Sequence, residues 1–360
     1  MRFAFVTLPN TTDPDVSVTE CVFWPGCKEI FMDIPGFPHP LQQPSGAKPA
    51  FRLGVSSGRG IGLFSTRALT QGELILAERP LLLGLACIPM LRPDGGLTDA
   101  QYTRHCFETM ERTLEPALGR MRPARRGAFM ALANCQDGSF PLGGRYHTNG
   151  IAVDGLRPGV TGSMGTYSAV CEHLSRLNHS CSPNTQPCFD KASISHQLWA
   201  VRDIAAGEEL TFQYSEATCS AAERNEALKP YNFTCTCASC ADPATSDPRR
   251  RAIGYPPSVE MWAANRELSD DWLIQKCLEQ LVLIKREKLE YLDQYYAAMM
   301  HLTATYICLG DAKQASEWAA RAQKCVWMSG RGYISQEELL DPASAAYPEH
   351  PLWRLRFRAG

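Results

Sequence analysis

The chain has 360 residues, 44% of them hydrophobic and 21% charged, long enough to bury a sizeable core and to hold two domains. A net charge of -2 excludes the global basic field that draws nucleic acid, so no direct nucleic-acid binding is expected. No stretch is apolar for long enough to cross a bilayer, and the run Phe3–Leu8 stops at Pro9, too short for a secretory leader. The expectation is an intracellular protein of the cytoplasm or nucleus, without membrane association.

Residues 1–49 are rich in proline and aromatics, as in Trp24-Pro25-Gly26 and Pro35-Gly36-Phe37-Pro38, and read as an extended segment draped on the domain beyond it. From Phe51 to Leu85 short apolar runs predict strands: Phe51–Leu53, Gly62–Ser65 and Leu74–Ala77. Gly58-Arg59-Gly60 and Gln71-Gly72 supply the turns between them. Residues 98–135 predict helices, with Thr98 or Asp99 as a cap and Pro123 in a first turn. Strands return over 148–214, most clearly at Leu198–Val201 and Glu209–Tyr214, joined by a turn at Ala206-Gly207. Two Asp-Pro pairs and Pro256-Pro257 mark residues 242–257 as a linker. Beyond it, Leu273, Cys277, Leu281 and Ile284 follow helical spacing. Tyr306, Leu309-Gly310-Asp311, Ala315, Ala319 and Ala322 resemble one tetratricopeptide-type hairpin, although a generic antiparallel helix pair fits as well. Two basic runs, Arg120 to Arg126 and Arg249-Arg250-Arg251, read as solvated faces.

Fifteen cysteines in a reducing compartment divide into small core residues and, where clustered, metal ligands. Cys235, Cys237 and Cys240 form a C-x-C-x-x-C triplet, three of the four soft ligands that tetrahedral zinc requires. Ser57-Gly58-Arg59-Gly60-Ile61-Gly62, between two strands, is a tight hairpin or a loop that lets a ligand approach the backbone. Asn178-His179, within Arg176–Asn184, reads alone as a turn pair. Tyr214 ends the run Gly207–Tyr214, and Tyr231 and Phe233 precede the cysteine triplet.

In this order the five elements resemble a SET-domain protein-lysine methyltransferase with a post-SET zinc motif, over about residues 50–241. The intervening insert lacks the paired cysteines of a MYND finger, so the chain is similar to a MYND-less member of the SET-and-MYND group. The resemblance implies an α+β architecture: a β-rich SET fold of small sheets with a pseudoknot, a helical insert at about 98–135, and a zinc-binding tail to residue 241. A C-terminal α-helical, TPR-like domain at 258–360 would follow. It implies S-adenosylmethionine (SAM) as donor, with Arg59 and Gly60 at the methionine end, Asn178 at its amino group, His179 at the adenine edge, and Tyr231 and Phe233 against the ring. Tyr214 would be the catalytic tyrosine and Phe212 would line the substrate channel. Cys181 would join Cys235, Cys237 and Cys240 around one structural zinc. Ser57 stands where relatives often carry Lys or Arg. The expected activity is methyl transfer to a lysine amine of a protein, a peptide or histone tail, by a monomer. A non-catalytic zinc-stabilised scaffold and methyl transfer to a small molecule are the alternatives.

Overall fold

Glycine and proline punctuation sets where the elements begin and end in the computed structural model, which describes residues 3–46, 48–88, 96–136, 138–157, 159–160, 165–328 and 347–357. In chain order the first elements are β1 (Ala4–Leu8), β2 (Thr19–Phe23), the single-turn helix α1 (Glu29–Met32), β3 (Phe51–Ser56), β4 (Gly60–Ser65), β5 (Leu74–Glu78) and β6 (Leu82–Leu85). The insert contributes α2 (Asp99–Arg120), α3 (Pro123–Met130) and α4 (Gly143–Asn149). Then come β7 (Ile151–Val153), β8 (Tyr167–Val170), β9 (Asn178–His179), β10 (Thr185–Asp190), β11 (Ser195–Ala200) and β12 (Glu209–Phe212). The remainder is helical: α5 (Ala221–Leu228), α6 (Ala238–Ala241), α7 (Pro243–Arg251), α8 (Val259–Ala264), α9 (Trp272–Glu287), α10 (Asp293–Leu309) and α11 (Ala312–Gln323).

The strands form three small sheets, ordered β1-β2-β6-β8-β7, β10-β11-β5 and β3-β4-β12-β9. The third builds the site. Gly58 and Gly60 turn the β3–β4 hairpin at φ of 70° and 74°, a region open to glycine at no steric cost. Leu63, Leu177, Leu198 and Leu210 pack beneath it, all but inaccessible to solvent. In the insert, Thr98 and Gln101 form the reciprocal capping box that starts α2, and Pro123 opens α3, as the sequence predicts.

Three regions differ from the sequence reading. The N-terminal segment is not merely draped: β1 and β2 pair antiparallel, and β2 extends the sheet by pairing parallel with β6. Phe23 and Phe31 are fully buried there. The first basic run is solvated only in part: Arg120 and Arg126 are exposed and Arg122 and Arg125 half-buried, yet three of the four are tied down. Arg120 donates to the Phe5 carbonyl, Arg122 to those of Asp13 and Pro14, and Arg125 to that of Pro80. These guanidinium groups tie the insert to the N-terminal segment and to the turn before β6.

The proline-marked linker is the third difference. Pro243 occupies the first turn of α7, where a missing N–H costs nothing, and Asp242 caps it through the Thr245 N–H. Arg250 within α7 is fully buried. Nor do the C-terminal helices enclose a separate core. Leu74, Trp199, Val201 and Ala217 of the strand region share one cluster with Trp262, Leu273, Ile284 and Leu302. Gly310, in the left-handed region, ends α10, and Asp311 caps α11.

Candidate functional site

Glu209 at the start of β12 organises the site. Antiparallel pairing places it opposite Phe64 of β4, and the parallel pairing of β12 with β9 brings Asn178 alongside Thr211. The Glu209 carboxylate accepts from Arg59 Nη2 at 2.5 Å, Asn178 Nδ2 at 2.8 Å and Ser56 Oγ at 3.0 Å. Arg59 also reaches the His179 carbonyl through Nη1 at 3.3 Å. These bonds require glycine at 62. A Cβ there would lie 2.6 Å from Glu209 Oε1 and 2.8 Å from Asn178 Nδ2.

The cradle opens onto a cavity of about 450 Å³. Arg59, Gly60, Asn178, His179, Tyr214, Tyr231 and Phe233, named from separate motifs in the sequence, all line it. Its opposite wall is the insert, through residues 131–133, Cys135, Thr148 and Asn149. Ser57 has no part in the lining; its neighbour Ser56 carries the contact to Glu209 instead.

His179 is buried and desolvation holds its imidazole down to about 4, so the ring is neutral at physiological pH. Its Nδ1 accepts from the Tyr214 N–H at 3.0 Å. The ring proton therefore sits on Nε2, 3.2 Å from Cys181 Sγ. That bond to Nδ1 also explains why β12 ends at Phe212, two residues before the sequence predicts: the Tyr214 N–H has left the ladder.

Tyr214 donates its hydroxyl proton to the Leu177 carbonyl at 2.5 Å, and burial pushes the phenol well above its usual range. Its ring lies 4.8 Å from that of Tyr231 and 5.0 Å from that of Phe212. A second cavity of about 180 Å³ lies on the other side, lined by Phe212 and Gln213, and it shares Tyr214 and Tyr231 with the first. The two tyrosines thus line both the larger cavity and the smaller one flanked by Phe212.

Cys181, Cys235, Cys237 and Cys240 converge, with all four sulfurs within 4.8 Å of one another. Two of the separations, 3.8 Å from Cys181 to Cys235 and 3.5 Å from Cys181 to Cys240, are close to the edge of about 3.8 Å expected for tetrahedral Zn–S bonds. Hydrogen bonds within the cluster push the Cys237 thiol down and the Cys181 thiol up, so the sulfurs share protons as one network. It is the one such cluster among the described residues, and it could hold a metal ion.

Sequence reasoning missed Glu209, Ser56, Gly62 and the insert wall. Glu209 lies within the Gly207–Tyr214 run, but only strand pairing reveals that its side chain meets Arg59 and Asn178. The insert wall carries no motif at all.

Residues 60–215 match the family described as "SET domain". The histone-lysine N-methyltransferase set5 of Schizosaccharomyces pombe is 26% identical over 275 residues, covering 74% of this chain and 75% of that protein. The human histone-lysine N-methyltransferase SMYD3 is 41% identical over 78 residues, covering 21% of this chain and 17% of its own length. The chicken protein-lysine N-trimethyltransferase SMYD5 is 37% identical over 93 residues, covering 23% and 22%. Against these last two the chain spans only about a fifth of the relative's length. The match spans residues 60–215, and the chain is similar to the SET5 and SMYD lysine methyltransferases.

Proposed function

We infer that the chain is a SAM-dependent protein-lysine N-methyltransferase. The observation that carries this reading is the pair of cavities meeting at Tyr214 and Tyr231, one large enough for a donor and one narrow enough for a side chain. The donor-side residues suit SAM. The Asn178 amide oxygen offers an acceptor to its ammonium while Glu209 holds Asn178 and Arg59 in place, Arg59 offers a cation to its carboxylate, and Tyr231 and Phe233 offer faces to its adenine. Bound SAM would supply the methyl group as a sulfonium.

Transfer to an amine in line demands positioning more than covalent machinery. Tyr214, whose phenol burial keeps protonated, orients the amine as the catalytic residue. Phe212 flanks the acceptor side without a hydroxyl to hold water, which leaves room for more than one methyl group. An apolar channel lowers the lysine pKa and so favours the neutral nucleophile. The substrate is a lysine-bearing peptide of a protein, histone or other, encountered in the nucleus or cytoplasm. The four clustered cysteines hold one structural zinc as a post-SET motif, and α10–α11 form the TPR-like hairpin.

Labelled SAM added to methyl-depleted extract with wild type or Tyr214→Phe tests the reading, with methyl-lysines identified by mass spectrometry. Wild type should transfer, and the variant should lose turnover far more than SAM affinity. Failure of wild type both to bind SAM and to transfer would overturn the proposal; binding without transfer would instead favour a non-catalytic scaffold. Metal removal gives a second test. A structural zinc contributes on the order of 10 kcal/mol at neutral pH, and Cys181 is two residues from His179 in the cavity wall. A chelator should therefore abolish SAM binding along with the order of the tail; unchanged SAM binding by metal-free protein would break that link.

A further inference from the structure

The donor cavity has two walls far apart in sequence, the insert and the segment before the cysteine triplet, and the shorter of two side-chain bonds between them comes from Asn232. Asn232 lies between Tyr231 and Phe233 and lines the cavity beside them. Its backbone is left-handed, φ 58° and ψ 34°, a region that bulky residues avoid and asparagine tolerates. From there its Nδ2 donates to the carbonyl of Cys135 at 2.6 Å. Cys135 is held from its other side, its N–H donating to Thr148 Oγ1 at 3.1 Å. Gln136 adds a longer bond to the Pro230 carbonyl at 3.4 Å. Cys135 and Thr148 both line the donor cavity. Because Asn232 is exposed, this bridge sits at the cavity rim.

We propose that Asn232 is a positioning residue that clasps the tail to the insert across the donor cavity and so sets the residence time of SAM. The proposal rests on the reading of the cavity as a SAM site. Asn232 takes no part in the chemistry; it fixes the spacing between the Tyr231–Phe233 wall and the insert wall. The left-handed backbone aims the amide at Cys135, and the amide supplies the bond. Exchange of spent donor for fresh requires this bond to open, and a step of that kind sets turnover in many enzymes.

Two substitutions separate backbone from side chain. Asn232→Gly keeps the left-handed conformation and removes the amide, whereas Asn232→Asp keeps the shape and replaces the donor with an oxygen that cannot donate to a carbonyl. The full-length, metal-loaded protein is charged with labelled SAM and chased with excess unlabelled SAM. Loss of one hydrogen bond should speed dissociation about three- to tenfold in Asn232→Gly, and KM for SAM should rise with it. Asn232→Asp should release SAM at least as fast. Single-turnover transfer at saturating SAM and the melting temperature should stay at wild-type values. Dissociation unchanged in both variants, with wild type binding SAM, overturns the clasp alone. A single-turnover rate that falls in step with affinity also overturns it, because the residue would then act on more than retention. A wild type that does not bind SAM removes the functional reading and the clasp with it.

Discussion

Arg59 with Glu209 and Arg250 with Glu287 are the same chemical pair put to opposite uses. Arg59 keeps 40% of its side chain exposed and commits two nitrogens, to Glu209 and to the His179 carbonyl. Spare donors face the cavity. Arg250 is fully buried, and each of its nitrogens is engaged. Nε meets Glu287 and Ser246 at 3.0 Å, Nη1 donates to the carbonyls of Cys181 and Ala217 at 2.9 Å, and Nη2 to Ser182 and Ser239 at 2.9 and 2.7 Å. A guanidinium has five N–H donors, and here none is left for a ligand. The open pair can recognise; the saturated pair joins α7 and α9 to the loop after β9 that carries Cys181 and to α6.

The largest test of this contrast is Arg250→Met. It leaves the Glu287 carboxylate, 4% exposed, with only Ser246 and the more distant Arg249 as partners, and should cost about 3–5 kcal/mol of stability, read by denaturant unfolding. A cost within the range of an ordinary surface substitution would mean that the saturated pair is not structural.

Next comes acid titration of a buried group outside both pairs. His196 is 1% exposed in β11, and desolvation, opposed by the Cys188 backbone, holds its imidazole down to about 4. The unfolded chain takes up the proton first. Stability is thus complete above about pH 6.5 and falls as pH drops towards 4, by on the order of 3 kcal/mol for this group. His147, His179 and His301 share the direction, so His196→Leu should flatten the slope rather than abolish it. An identical slope in the variant would remove His196 from the account.

The smallest effect is Glu209→Gln. Losing a charged acceptor should weaken SAM binding about 10- to 100-fold while unfolding stays near wild type. If this substitution unfolds the chain and Arg250→Met does not, the assignment of the two pairs is inverted.

What could be read in the sequence was local or motif-borne. Arg59, Asn178, Tyr214 and Phe233 each sit in a short recognisable run, and the structure gathers all four around one cavity. The caps of α2 and α3 were legible because capping is decided within four residues. Arg250 was not. A basic run beside prolines has the composition of a solvated linker, and only the folded chain brings six oxygen partners to one guanidinium. The N-terminal strands were hidden for a related reason: β2 is only five residues long and buried throughout, so it shows no alternation, and the pairing that decides it comes from β6. Asn232 stood between two residues named for adenine stacking, yet its own partner is 97 positions away.

The β1-β2-β6-β8-β7 order has a consequence for how the chain is made. During synthesis the β1–β2 hairpin emerges well before its neighbour β6, which begins at residue 82, and β6 lacks its second flank until β8 at residue 167. At ribosomal speeds of about 5–20 residues per second, the nascent hairpin waits on the order of ten seconds for the sheet to be complete. Throughout that interval Phe23 and Leu83 lack the Tyr167 and Ala169 that cover them in the finished core. The β1–β2 hairpin is thus ordered by strands made later, and chaperone demand on the ribosome should peak before β8 has left the exit tunnel.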